Sequence, residues 1–285
     1  MKHLAVGKAN GAISILHSLG LGRGCSLGIE LSTEVTIVDQ KAEVANDDHN
    51  LLQAVESCWR SEGLPLPEEF GWRITTNLPI GQGLKSSSAL SNAAFRALNR
   101  CSWTGLSEAN IADLSVRSQR MAKCTFSGSL DDSWASLVPG WKLVDPSLNA
   151  TDSVIIEGEI QEDFRVIIAL RGRRKCIISP DSFASQAQIF ERALASVMSG
   201  SPLDALSSNG MAVAAATNDF EALRISNILI ASGAIASGIS GSGPSISVVC
   251  YPEDEEILRS KISEMGMQTI STSLFTSRSI AEEAS

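Results

Sequence analysis

Two adjacent carboxylates, Asp131 and Asp132, follow a glycine turn in "SGSLDDSWASLVPGW" (127–141). A serine run, Ser86, Ser87 and Ser88, follows a turn bearing Gly81, Gly83 and Lys85 in "PIGQGLKSSSALSNAAFRAL" (79–98). A carboxylate can orient or deprotonate a hydroxyl. A helix opening at Ser86 exposes unpaired N–H groups and a partial positive charge, a geometry that holds phosphate, with the serine hydroxyls and Lys85 as further donors. Plainer roles exist, because serine caps helices and acidic residues favour helix N-termini. Three serines, two glycines and a lysine exceed what a cap requires, so a nucleotide triphosphate is the expected ligand. No G-x-x-x-x-G-K-[ST] occurs, which rules out the Walker type of loop. A third segment, "GISGSGPSI" (238–246), bends tightly, and Gly241 and Gly243 would let main chain approach a ligand on either side of Ser242.

Elements must hold these residues. The segments 3–9 and Cys25 to Asp39 read as strands. A helix follows with Leu51, Leu52, Val55 and Trp59 on one face and Gly63 at its end, and "WRITTNLP" returns to strand. Leu90, Ala93, Ala94, Ala97, Leu98 and Cys101 recur at helical spacing, so Ser86 to about Arg100 is expected to be a helix with a tightly packable small-residue face. Further helices are expected over 107–121 and, shorter, 129–138, with strands near Trp141 and Val154. The apolar run Asp163 to Leu170 reads as a buried strand, and the chain is divided beside it into residues 1–160 and 161–285. Helices are then expected at Pro180 to Met198, with Ser179 as N-cap, at Pro202 to Ala216 and at Asp219 to Ala231. A strand, glycine turn and strand, a helix from Glu253 and a last strand at Met267 to Ser273 complete the pattern. Helices and strands mixed in both halves give an α+β class with two layers.

Composition excludes several functions. The 285 residues are 44% hydrophobic and 19% charged, with no uninterrupted apolar stretch of the ~18 residues that a membrane span needs. A net charge of −9 argues against a nucleic-acid partner. Lys8, Asn10 and His17 interrupt any signal-peptide core, and Cys25, Cys58, Cys101, Cys124, Cys176 and Cys250 are scattered singly, apart from the three histidines. The expectation is a cytoplasmic protein with reduced cysteines and no structural metal.

In order, the three segments resemble those of the GHMP kinase superfamily. "PIGQGLKSSSA" matches its middle motif P-x-x-x-G-L-[GS]-S-S-[AS]-A, with Lys85 where glycine or serine is usual. "SGISGSGPSI" resembles its third motif, and "GSLDD" its catalytic aspartate segment. "LGRGCSLGIEL", "GLKSSSALSNAA" and "FSGSLDDSWAS" look most like the archaeal-type shikimate kinases. The resemblance implies a GHMP fold with an N-terminal domain of the ribosomal-protein-S5 domain 2 type, a ferredoxin-like C-terminal domain and ligands between them. It implies ATP and Mg²⁺ as cofactors and shikimate as the acceptor, with homoserine kinase or a non-catalytic nucleotide-binding relative as alternatives. ATP would lie on Pro79, Ile80, Gly81, Gln82, Gly83, Leu84, Lys85, Ser86, Ser87, Ser88 and Ala89, and the phosphate or substrate on the turn Gly241, Ser242 and Gly243. Asp131 would be the catalytic carboxylate with Lys8 beside it, and Ser87 and Asp132 would take the metal. The magnesium-binding glutamate of mevalonate kinases is unmatched, with Gln119 nearby. Arg23, Arg171, Arg173 and Arg174 are candidates for a substrate carboxylate, Arg23 and Arg171 being preferred.

Overall fold

The computed structural model of the chain describes residues 1–42, 44–45, 47, 49–125, 128–174 and 177–283. A first antiparallel sheet takes β1 (His3–Leu16), β2 (Gly24–Val38), β3 (Gly71–Thr76), β4 (Trp141–Val144) and β5 (Val154–Gly158). Its order is β1-β2-β4-β5, with β3 also paired to β2. Around it run α1 (Ser18–Leu21), α2 (Leu51–Ser61), α3 (Ser86–Ser102), α4 (Glu108–Met121), α5 (Leu130–Leu137) and α6 (Ala150–Ser153). A second antiparallel sheet, ordered β7-β8-β6-β9, holds β6 (Arg165–Leu170), β7 (Ala236–Ile239), β8 (Ile246–Cys250) and β9 (Gln268–Ser273). It is accompanied by α7 (Pro180–Ala184), α8 (Ala187–Met198), α9 (Pro202–Thr217), α10 (Phe220–Ala231) and α11 (Glu255–Glu264), while the last helix, α12 (Ser277–Glu283), returns to the first sheet, where Ser277 bonds Glu159. Segregated antiparallel sheets with helices are an α+β arrangement.

Two elements depart from the sequence expectation in ways that bear on the site. Strand β1 continues past Ala9 to Leu16. Asn10 does not end it, because its side-chain amide donates to the Ile29 carbonyl at 3.0 Å, and Gly11 leaves room for Leu78 and Leu84 of the glycine loop. The helix expected over Pro180 to Met198 is two helices, α7 and α8, which break at Ser185 and Gln186. Ser179 is the N-cap residue there, with no side-chain capping bond.

Packing explains how α3 is placed. A Cβ on Gly7 would lie 2.1 Å from the Ala93 carbonyl oxygen, so β1 and α3 touch backbone to backbone, and Ala93, Ala94 and Ala97 are fully buried. The ends of the β1–β2 ribbon feed different cores. Ala9, Val35 and Ile37 pack with Trp59, Phe95, Leu98 and Ile111 from the helices. Ile13, Ile15, Leu27 and Ile29 join a cluster with Val166, Ile168, Phe190 and Val213, so one apolar core spans both sheets. Among the described residues no helix is long and apolar enough to cross a membrane. The described cysteines are free, and Cys176 lies outside the described residues.

Candidate active site

Helix α3 opens on a cleft of about 340 Å³. Lys85 stands just before it with φ +64°, a left-handed conformation that costs a non-glycine residue about 1–2 kcal/mol. The Lys85 side chain makes no capping bond to this N-terminus. Ser86 and Ser87 are half-buried and line the cleft together with Ser88, so the serines sit inside the first turn with its N–H groups instead of capping it. Behind them, Ser88 Oγ donates to Gln119 Oε1 at 3.1 Å, and Gln119 Nε2 donates to Ser115 Oγ at 3.1 Å. Ser115 also meets Ser91 and Ser133, which ties α3, α4 and α5 together through buried hydroxyls.

The second wall is the start of α5. Asp131 and Asp132 occupy its first turn, where the helix dipole favours negative charge, and both are buried. Lys85 Nζ lies 2.8 Å from Asp132 Oδ1, with each side chain 11% exposed. Ser26 Oγ is 3.0 Å from Asp131 Oδ2 and 2.8 Å from Asp132 Oδ1. One hydroxyl carries one proton, so donation to Asp132 leaves its lone pair to accept from a protonated Asp131. The electrostatics agree. Burial and the Asp132 charge push Asp131 up to about 7. Burial pulls Asp132 the same way, but the Lys85 ammonium and the bonds from Lys85 and Ser26 outweigh it and hold Asp132 below the usual carboxylate range.

The third wall comes from the second half of the chain. The Ser240 and Ser245 hydroxyls donate to the Gly83 and Gln82 carbonyls at 2.9 and 2.5 Å, and the Gly241 N–H donates to Ser14 Oγ at 3.0 Å. A Cβ on Gly83, at φ +78°, would meet the Ser240 carbonyl oxygen at 2.1 Å. Ser242 faces the cleft and bonds His17 Nε2 at 2.9 Å. His17 Nδ1 accepts the Leu19 N–H, which leaves the ring proton on Nε2 to be donated to Ser242. Burial, then Lys85 and Arg174, lower His17 to about 3, so the ring is neutral.

The structure therefore brings together Ile80, Gly81, Gly83, Lys85, Ser86, Ser87, Ser88, Asp131, Asp132, Gly241 and Ser242. Leu84 and Ala89 are instead core residues, and Gln82 donates to the Gly172 carbonyl. Pro79 and Gly243 flank the lining without entering it. Lys8 is not beside Asp131. It pairs with Glu34 across the ribbon and lines a separate cavity with Arg96 and Glu108, six residues along β1 from Ser14, which itself pairs with Ser26. At ~3.3 Å per residue that is roughly 20 Å, and Lys85 supplies the ammonium beside the carboxylates.

The preferred arginines are also elsewhere. Arg23 is bonded to Asp145 and the Gly22 carbonyl on the surface. Arg171 grips Asp219 through both terminal nitrogens, at 2.6 and 2.9 Å. Two further site residues carry no site role in the sequence analysis: His17 has no local signature there, and Ser26 lies within "LGRGCSLGIEL". The available signal was a small hydroxyl interrupting each buried strand at paired positions, Ser14 and Ser26. Ser127, quoted with the aspartate segment, lies outside the described residues. Among the described residues no three His, Cys, Asp or Glu side chains form a metal cage.

Comparison with known proteins fits this cleft. The fold is that of a GHMP-type kinase: Methanococcus jannaschii mevalonate kinase superposes with a TM-score of 0.74 at 14% identity, over 95% of this chain and 98% of that one. Residues 50–140 match the GHMP kinases N terminal domain. Shikimate kinase of Methanobrevibacter smithii is 30% identical over 277 residues, 88% of this chain and 89% of that protein. That of Pyrococcus abyssi is 31% identical over 177 residues, 58% of this chain and 62% of that protein. The chain belongs to the archaeal-type shikimate kinase family within the GHMP kinases.

Proposed function

We propose that the chain transfers the γ-phosphoryl group of ATP to the 3-hydroxyl of shikimate, giving shikimate 3-phosphate and ADP. The observation that carries this reading is the meeting of an α3 N-terminus to which Lys85 makes no capping bond and a buried carboxylate pair in one cleft, in a member of this family. Phosphoryl transfer asks mainly for positioning and charge neutralisation. The N–H groups at Ser86 to Ser88 and the Lys85 ammonium receive the polyphosphate. A recess of about 40 Å³ adjoins the loop between Thr33, Asp47, Leu51, Ile74, Ile80 and Leu90, and offers the nucleobase, which is larger than the recess, an edge to rest on. Asp131 holds the acceptor hydroxyl and takes its proton, and its raised proton affinity matches that work near neutral pH.

The donor set fits Mg²⁺, which binds through one or two carboxylates plus phosphate oxygens and keeps several waters in place of a full protein cage. Asp132 and Ser87 would hold it. When bound, the ion neutralises charge on the transferred group. On this reading the two assigned units, 1–160 and 161–285, close on the substrates from either side. ADP release measured with shikimate and with homoserine tests the assignment. Turnover that depends on shikimate is expected, and turnover with homoserine alone would overturn it.

A further inference from the structure

Shikimate carries a carboxylate, and the cleft that would receive it already holds two buried aspartates. A second anion entering beside them needs a cation of its own. Among the described lining residues the permanent cations are Lys85 and Arg174. Lys85 is paired with Asp132 and already assigned to the polyphosphate, so it is not a separate cation for a second anion. His17 stays neutral, and Arg23 and Arg171 are bound to Asp145 and Asp219. Arg174 differs. Its Nη2 donates to the Gly243 carbonyl at 2.9 Å, which anchors one corner of the guanidinium beside Ser242, and the group has further N–H donors for a ligand. It borders both the main cleft and an adjoining recess of about 310 Å³ lined by Arg171, Arg173, Thr217 and Pro244. Phosphates are provided for elsewhere, at α3 and Lys85.

Resting on the shikimate kinase reading, we infer that Arg174 is the specificity-determining residue that grips the substrate carboxylate from the lip of the second half. The acceptor hydroxyl lies two ring carbons from the carbon bearing that carboxylate, so an Arg174 clamp also fixes which hydroxyl reaches Asp131. Guanidinium is suited to this because its planar fork matches a carboxylate in two places.

The test pairs an enzyme change with a substrate change. Wild-type protein and R174M are assayed with shikimate and with its neutral methyl ester. Wild type is expected to favour the acid by about 10- to 100-fold in kcat/KM, as charge-assisted bonds of this kind give. R174M should cost the acid about 10-fold or more beyond what it costs the ester, so that the preference for the acid disappears, and leave the KM for ATP in place. R174K should restore part of the preference for the acid. An equal loss on acid and ester, or a raised KM for ATP, would overturn the inference and make Arg174 a phosphate-binding or structural residue. No turnover of shikimate by wild type would instead defeat the functional reading.

Discussion

Asp131 and Asp132 are neighbours of the same type, yet one ammonium and one hydroxyl give them opposite characters. The folded chain binds a proton on Asp131 more tightly than the unfolded chain does. Its stabilising contribution is therefore full below the ordinary carboxylate range and is lost as pH rises towards about 7. Asp132 shifts the other way, and its window lies below its ordinary value, at more acid pH. Without nucleotide or metal, the melting temperature of wild type should fall between pH 5 and pH 8 relative to D131N. At pH 8 the variant should be the more stable, by about 2–4 °C for each kcal/mol of relieved repulsion. The same variant should lose about 10²- to 10⁴-fold in kcat. Parallel pH dependence in both proteins would remove Asp131 from this role. The two aspartates were legible in the sequence because a glycine turn and a helix start surround them. Their partner was not. The choice of Lys85 over Lys8 depends on where β1 meets β2, which no local pattern states.

At the scale of elements, the cleft depends on the docking of the glycine loop against the turn at 240–245. Gly81 and Gly83 look alike in sequence and both have positive φ, but a Cβ on Gly81 meets nothing within 4 Å while one on Gly83 meets backbone. G81A should therefore cost about 1–2 kcal/mol of left-handed strain. G83A should cost more and raise the KM for ATP, because the Ser240 main chain cannot yield as a side-chain tip can. Urea unfolding with steady-state kinetics checks the pair, and equal losses would contradict the docking. Helix α3 was legible from its 3.6-residue spacing and α9 from the proline that opens it, and the small face of α3 was readable as a tight contact. The length of β1 was not, because Asn10 and Gly11 resemble strand breakers until their partners, Ile29 and the loop at Leu78 and Leu84, are in place.

In the molecule as a whole, the site belongs to neither half alone. The first half gives α3, Ser26 and the aspartates, and the second gives Ser242 and Arg174. The apolar core that contains both Leu27 and Val166 holds these walls in register. The α+β class and the order of elements could be read from the chain, since mixed periodicities in both halves leave few arrangements. The convergence of three distant segments could not be read from spacing, and it entered only through resemblance to a family. A crystal structure with a non-hydrolysable ATP analogue, Mg²⁺ and shikimate tests the account most directly. The triphosphate should lie against the N–H groups of Ser86 to Ser88, with the shikimate 3-hydroxyl within hydrogen-bonding distance of Asp131. A triphosphate bound away from α3, or an acceptor hydroxyl out of reach of Asp131, would contradict it.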